Sequence, residues 1–155
     1  RELKVNRLTG SPEFNVALFA LLLNFPWEFL QVPFFSEMPS MAHWQAVRFC
    51  TQAALGDVLI ALGAYWIVAM LRRDRYWILQ ANAAAMLAFI ALGVVATLGL
   101  EWHATVLQQR WQYSDLMPRL PFLETGLTPV LQWQLLPPLV IWLARRQILG
   151  HKYLQ

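Results

Sequence analysis

Four long apolar runs govern what this chain can fold into. They cover about Phe14–Phe35, Ala46–Leu71, Tyr76–Leu100 and Leu127–Ala144. A helix that crosses a bilayer needs about 20 mostly apolar residues, and each run is close to that length. The runs are continuously apolar rather than alternating, which argues for helices and against the strands of a barrel. Composition agrees, because 58% of the 155 residues are hydrophobic and only 14% are charged. A soluble domain carries roughly a quarter charged residues, so most of this surface is expected to face lipid. An ordinary soluble enzyme, a disordered chain and a nucleic-acid binder are all disfavoured.

The 12 Lys and Arg residues exceed the 9 Asp and Glu, and their positions carry the meaning of that excess. Arg1, Lys4 and Arg7 precede the first run. Arg72, Arg73 and Arg75 separate the second from the third, and Arg145, Arg146 and Lys152 follow the fourth. In a four-span chain all of these fall on one side, with only Arg48, Arg110 and Arg119 opposite. Lys and Arg favour the cytoplasmic side of a membrane. The expectation is therefore an all-α integral membrane bundle of four transmembrane helices in the cytoplasmic (inner) membrane. Both termini are cytoplasmic, and a long outer loop joins helices 3 and 4. The basic excess reports orientation, so no nucleic-acid partner is implied; the partners implied are the bilayer and a lipophilic small molecule or other membrane subunits.

Residues 1–13 form a polar segment. Gly10-Ser11-Pro12-Glu13-Phe14 matches the translation of two adjacent restriction sites, so this segment reads as a cloning remnant, and residues 14–155 as a single domain. No cleavable signal peptide is evident, since the first apolar run lacks a small-residue cleavage site. The single cysteine, Cys50, excludes an intramolecular disulfide and reads as a buried, inert thiol. The tryptophans Trp44, Trp77, Trp102 and Trp142 lie near run ends, as interface belts require. Ala53, Asp57, Ala61 and Ala64 share one face of the second run, and Gly93 and Thr97 one face of the third. Such small-residue faces pack against other helices.

Polar groups inside apolar runs are costly and rarely face lipid. Asn24, Glu28 and Gln31 follow one another at spacings of four and three, so they share a helix face. Asp57 lies near the middle of the second run, and Glu101 ends the third on the face of Gly93 and Thr97. Gln132 and Gln134 lie in the outer half of the fourth. With the stated orientation these groups fall at one depth, and Glu28, Asp57 and Glu101 have no cationic partner within the runs except Arg48 near an end. Carboxyls in an apolar cavity are the setting for general acid–base chemistry. Trp27 and Trp133, beside Glu28 and Gln132, are candidates to line an aromatic cavity. His43 and His103 are the only histidines placed near these groups. They are too dispersed to define a metal site and supply no haem bracket, so no particular cofactor is implied.

One stretch resembles a known family. Glu101 is followed by Arg110-Trp111-Gln112-Tyr113, Met117-Pro118, Leu120-Pro121, Gly126-Leu127, Pro129 and Gln132-Trp133. An acid at a helix end, a W-x-Y, a Pro-rich stretch and a G-x-x-P opening a last helix resemble small membrane carotenoid-modifying proteins. These are the heterodimer-type lycopene cyclases and carotenoid hydratases, and the likeness covers about residues 97–135. It implies acids in a membrane cavity that protonate a polyene, with Glu101, Trp111 and Tyr113 as the matching positions. Where the cyclases place paired acids after a proline, this chain reads Pro129-Val130-Leu131-Gln132-Trp133.

Two functional readings follow. The first is an integral membrane subunit or binding module for a lipophilic ligand or a larger membrane complex, with a pigment, quinone or haem-type partner. Its binding residues would be Asn24, Trp27, Gln31, Trp111, Tyr113, Gln132 and Trp133. The alternative is a membrane enzyme that protonates, hydrates or cyclises a carotenoid or isoprenoid polyene. There Glu101 is the general acid, and Glu28 and Asp57 hold protons or stabilise a cation.

Overall fold

The computed structural model describes residues 9–121 and 125–153, so Arg1, Lys4 and Arg7 lie outside the described residues. The described chain is helical, with helices α1 (Pro12–Leu30), α2 (His43–Arg72), α3 (Ala83–Trp102) and α4 (Leu127–Tyr153). The four run alternately up and down. α1 and α3 each pack on α2 and α4, so the helices enclose a square. The ends of the described chain meet, with Thr9 Oγ1 3.1 Å from His151 Nδ1. Arg72, Arg73, Arg75, Arg145 and Arg146 occupy that end of the bundle, while Arg48, Arg110 and Arg119 occupy the other.

α2, α3 with its extension to Leu107, and α4 are long and apolar enough to cross a membrane. α1 falls short of that measure, since it contains Asn15, Asn24, Pro26 and Glu28. Asn15, Asn24 and Glu28 are buried against the other helices, whereas Leu22, Phe25, Phe29 and Leu30 face outward. Leu59, Leu87, Val95 and Leu135 extend this exposed apolar surface over the other three helices.

The helix ends follow from local chemistry. Ser11 caps α1, its hydroxyl accepting from the Phe14 N–H at 3.4 Å, and Pro12 occupies the first turn, where its missing N–H costs nothing. α1 thus begins at Pro12, two residues before the first apolar run. α2 ends with Arg73 in the left-handed region at φ 53°. The Asp74 N–H reaches the Ala69 carbonyl at 3.0 Å and the Arg73 N–H reaches Met70 at 3.2 Å, a Schellman closure.

α3 starts at Ala83, seven residues later than the expected Tyr76. Asn82 caps it, accepting from the Ala85 N–H at 2.9 Å, and Trp77–Gln80 form a separate 3-10 turn. This turn folds Trp77 and Ile78 fully into the core. Trp77 is thus not an interfacial residue: it stacks on Tyr65 with ring centroids 6.0 Å apart, and its indole N–H donates to the Tyr65 carbonyl at 3.3 Å. α4 continues past the expected Ala144 to Tyr153, because Ile148 still packs into the core.

The core lies toward the end where the termini meet. Val16, Tyr65, Val68, Trp77, Phe89, Ile141 and Ile148 are fully buried there. The same end is tied by Arg75, whose guanidinium grips the Glu13 carboxylate through Nε at 2.6 Å and Nη2 at 2.8 Å. Tyr65 donates its hydroxyl to the Arg75 carbonyl. α3 and α4 approach closely at Gly93, where an added Cβ would stand 1.9 Å from the Trp133 ring.

Candidate functional site

At the opposite end the helices splay around a cavity of about 330 Å³. That volume is at the small end of ligand pockets. Glu28, Asp57 and Glu101 all line it, together with Gln31, Thr97, Trp111 and Gln132. The three carboxyls come from α1, α2 and α3, and Gln132 from α4, so every helix contributes a polar group.

Gln132 ties the helices together. Its amide nitrogen lies 2.7 Å from Asn24 Oδ1, 2.8 Å from Asp57 Oδ2 and 3.1 Å from Glu28 Oε1. An amide NH₂ has two hydrogens, so three acceptors share two donors. Asn24 donates in turn to the Ala20 carbonyl at 2.8 Å, and Gln31 donates to Glu28 Oε2 at 2.9 Å. Glu28 and Asp57 thus share Gln132 as a common donor.

Glu101 is held from the loop that follows α3. The chain continues as a turn of π-helix over His103–Leu107, turns at Gln109 with φ 49°, and returns across the cavity mouth. The return is anchored on the segment after α1: Ser36 N–H donates to the Gln112 carbonyl at 3.0 Å and Ser114 N–H to the Phe34 carbonyl at 2.9 Å. This places the Tyr113 hydroxyl 2.5 Å and the Trp111 indole N–H 3.4 Å from Glu101 Oε2. Both donations converge on one oxygen and leave Oε1 without a donor among the described residues. Burial, and then the Glu101 charge, push the Tyr113 phenol well above its ordinary pKa. Gly126 is needed where the loop closes, since a Cβ there would meet Met117 at 2.9 Å and Tyr113 at 3.0 Å.

Of the residues proposed from sequence, Glu28, Gln31, Asp57, Glu101, Trp111 and Gln132 line the cavity, and His103 stands at its rim. Tyr113 acts behind the lining, through Glu101, and Asn24 through Gln132. Trp133 and Trp27 are not part of the lining. Trp133 packs against Gly93 instead. Gln134 is exposed on the outside of α4, and His43 is exposed at the start of α2. No group of three or more metal-ligating side chains occurs among the described residues. Phe49, Ala53, Gly56 and Ile60 complete the wall on α2, and their spacing of four, three and four was the available signal. Thr97, read from sequence as a packing residue, also lines the cavity.

Two lining groups lack partners. Gln31 Oε1 and Thr97 Oγ1 are buried with no hydrogen bond, and their side chains are only 5% and 7% exposed. A buried polar atom without a partner carries a desolvation cost of about 1–3 kcal/mol.

No family model, curated protein or solved structure matches this chain. The fold and site therefore define the class directly. It is a four-helix bundle with three membrane-capable helices and a polar, loop-capped cavity at one end.

Proposed function

We propose that the protein is an integral membrane binding module that takes a lipophilic molecule carrying a polar head into the cavity between its helices. The observation that carries this reading is the cavity itself. Four helices and a loop contribute polar groups to it, its walls at Phe35, Phe49, Ile60 and Leu100 are apolar, and two of its polar atoms have no protein partner. A packing network without a ligand has no need of such a volume. The apolar outer surface supports placement in a bilayer with α1 as the fourth span. The charge distribution supports cytoplasmic termini in an inner membrane.

Gly56 provides the test. It lines the cavity, and a Cβ added there meets nothing within 4 Å, so Gly56→Phe fills the space without disturbing the helix. Protein purified in a mild maltoside detergent is extracted with organic solvent, and the extract is separated with absorbance and mass detection. A lipophilic compound at near-stoichiometric yield in the parent, lost from a normally melting Gly56→Phe, is the expected result. Identical extracts from the two proteins sink the reading.

A second reading rests on the meeting of Glu101, Trp111 and Tyr113, the positions that carry the resemblance to carotenoid-modifying proteins. In that reading the protein is an acid–base enzyme, and Glu101 Oε1 delivers a proton to the end of a polyene. The cavity holds one end group of such a molecule rather than its whole length. Expression in a bacterium that accumulates linear carotenoids should then alter the pigment profile, and Glu101→Gln should restore it.

A further inference from the structure

Building on the binding reading, we infer that the head group the cavity takes is a protonated amine on a lipophilic tail. Acceptors dominate the lining. Glu101 offers Oε1, Gln31 offers a buried Oε1 without a donor, and Asp57 and Glu28 bring two more carboxyls that share the two hydrogens of Gln132. The only buried lining donor left over is the Thr97 hydroxyl, which accepts as readily as it donates. The orphan atoms, Gln31 Oε1 and Thr97 Oγ1, are not carboxyl oxygens, and both call for a partner in the cavity.

The charge balance points the same way. The single salt bridge among the described residues is Arg75 with Glu13, at the far end of the bundle. Arg110 is the one Lys or Arg in the cavity lining. It is exposed at the rim, with its guanidinium 5.7 Å from the centroid of the Trp111 ring. A primary ammonium carries three donors and one positive charge, which suits several acceptors and three carboxyls gathered without a buried cation. Charge-assisted hydrogen bonds of this kind are the strong ones. The Trp111 and Phe49 rings, 5.8 Å apart and edge to face, add faces that attract a cation. Ile60, Leu100 and Met38 offer apolar wall for the start of the tail.

Three probes with one tail separate the contributions: n-octylammonium, n-octyltrimethylammonium and n-octanol. The first has charge and donors, the second charge alone, the third a hydroxyl alone. Each is titrated calorimetrically into the whole protein in an uncharged maltoside detergent. n-Octylammonium should bind roughly tenfold tighter than either of the others, the difference expected for one charge-assisted hydrogen bond. Asp57→Asn and Glu101→Gln should each remove roughly a tenfold share of that affinity, and Gln31→Met a smaller one. Melting curves of each variant show whether it is folded, and Thr97→Val gives a second neutral variant if Gln31→Met is not.

Equal affinity for n-octanol, or n-octylammonium affinity that survives both acid substitutions, overturns the inference. So does the absence of any n-octylammonium binding. The copurification result with Gly56→Phe stands apart from these outcomes. If a lipophile is lost there while n-octylammonium does not bind, the cavity is a ligand site and only the amine is wrong.

Discussion

The two ends of the bundle treat charge in opposite ways. Where the termini meet, the acid Glu13 is gripped by two N–H donors along one edge of the Arg75 guanidinium, above a core of fully buried Tyr65, Trp77 and Phe89. At the other end, three acids open onto a cavity of about 330 Å³ and have only amides, a phenol and an indole as protein partners. One end pairs its acid with a base and fills its volume, leaving Asn15 Oδ1 as its buried atom without a partner. The other leaves polar atoms unpaired and keeps space. Protein interiors are close-packed as a rule, so space and unpaired groups at the same place mark the region held open at a cost in stability. Marginal packing of this kind is characteristic of functional sites.

The largest effect should come from the waist between the two ends. Gly93→Ala would drive a methyl into the Trp133 ring at 1.9 Å, and overpacking of a tight contact costs about 1–3 kcal/mol or more. A clear drop in melting temperature in detergent is expected, partly reversed when Trp133→Leu is added. An unchanged melting temperature would show that α3 and α4 do not meet closely there.

A smaller effect should appear at the sealed end. The Arg75 guanidinium beside Glu13 holds its carboxyl down at about 2, below the ordinary 4.5. A depressed folded-state pKa means the contribution is present above the ordinary value and lost as pH falls through the folded one. The melting temperature should therefore decline between about pH 4.5 and about pH 2, and Glu13→Gln should flatten that decline. The ion pair is partly solvated, so its whole contribution is modest. An identical pH slope in the variant would remove Glu13–Arg75 from the account of this end.

The smallest effect on stability should come from an acid at the open end. Asp57→Asn keeps a side chain of the same shape and removes one carboxyl from a site without a buried cation. The melting temperature should stay close to that of the parent or rise, because burying a carboxyl without a cation is costly, even as amine binding falls. A large loss of stability instead would make the acidic cluster a packing device and erase the contrast between the two ends.

Much of the fold was legible. The four apolar runs became the four helices because lipid-exposed surface needs long apolar stretches whatever their partners. The inward face of α1 was also legible, since Asn24, Glu28 and Gln31 recur at helical spacing and only one side of a helix can bury them. Mean apolar character ranks that same helix below the other three, because it counts inward polar residues against an outward apolar face. The start of α3 was missed because Trp77 and Ile78 are as apolar as a span, and only the Asn82 cap separates them from it. Trp27 and Trp133 lie outside the lining of the cavity, and nothing in the order of residues separated them from Glu28 and Gln132.

By itself the sequence determined the class of structure, the alternation of the helices and the rarity of charge within them. Each of these depends on local periodicity and on the cost of burying polar groups. Only the tertiary structure decided that Glu28, Asp57 and Glu101 share one cavity, that Gln132 bridges two of them, and that the loop carrying Trp111 and Tyr113 folds back onto the third. The hydrogen bonds among them join residues from 10 to 104 positions apart. Their rotation and depth are set by how helices pack on one another, through contacts such as Gly93 against Trp133 that no single segment encodes.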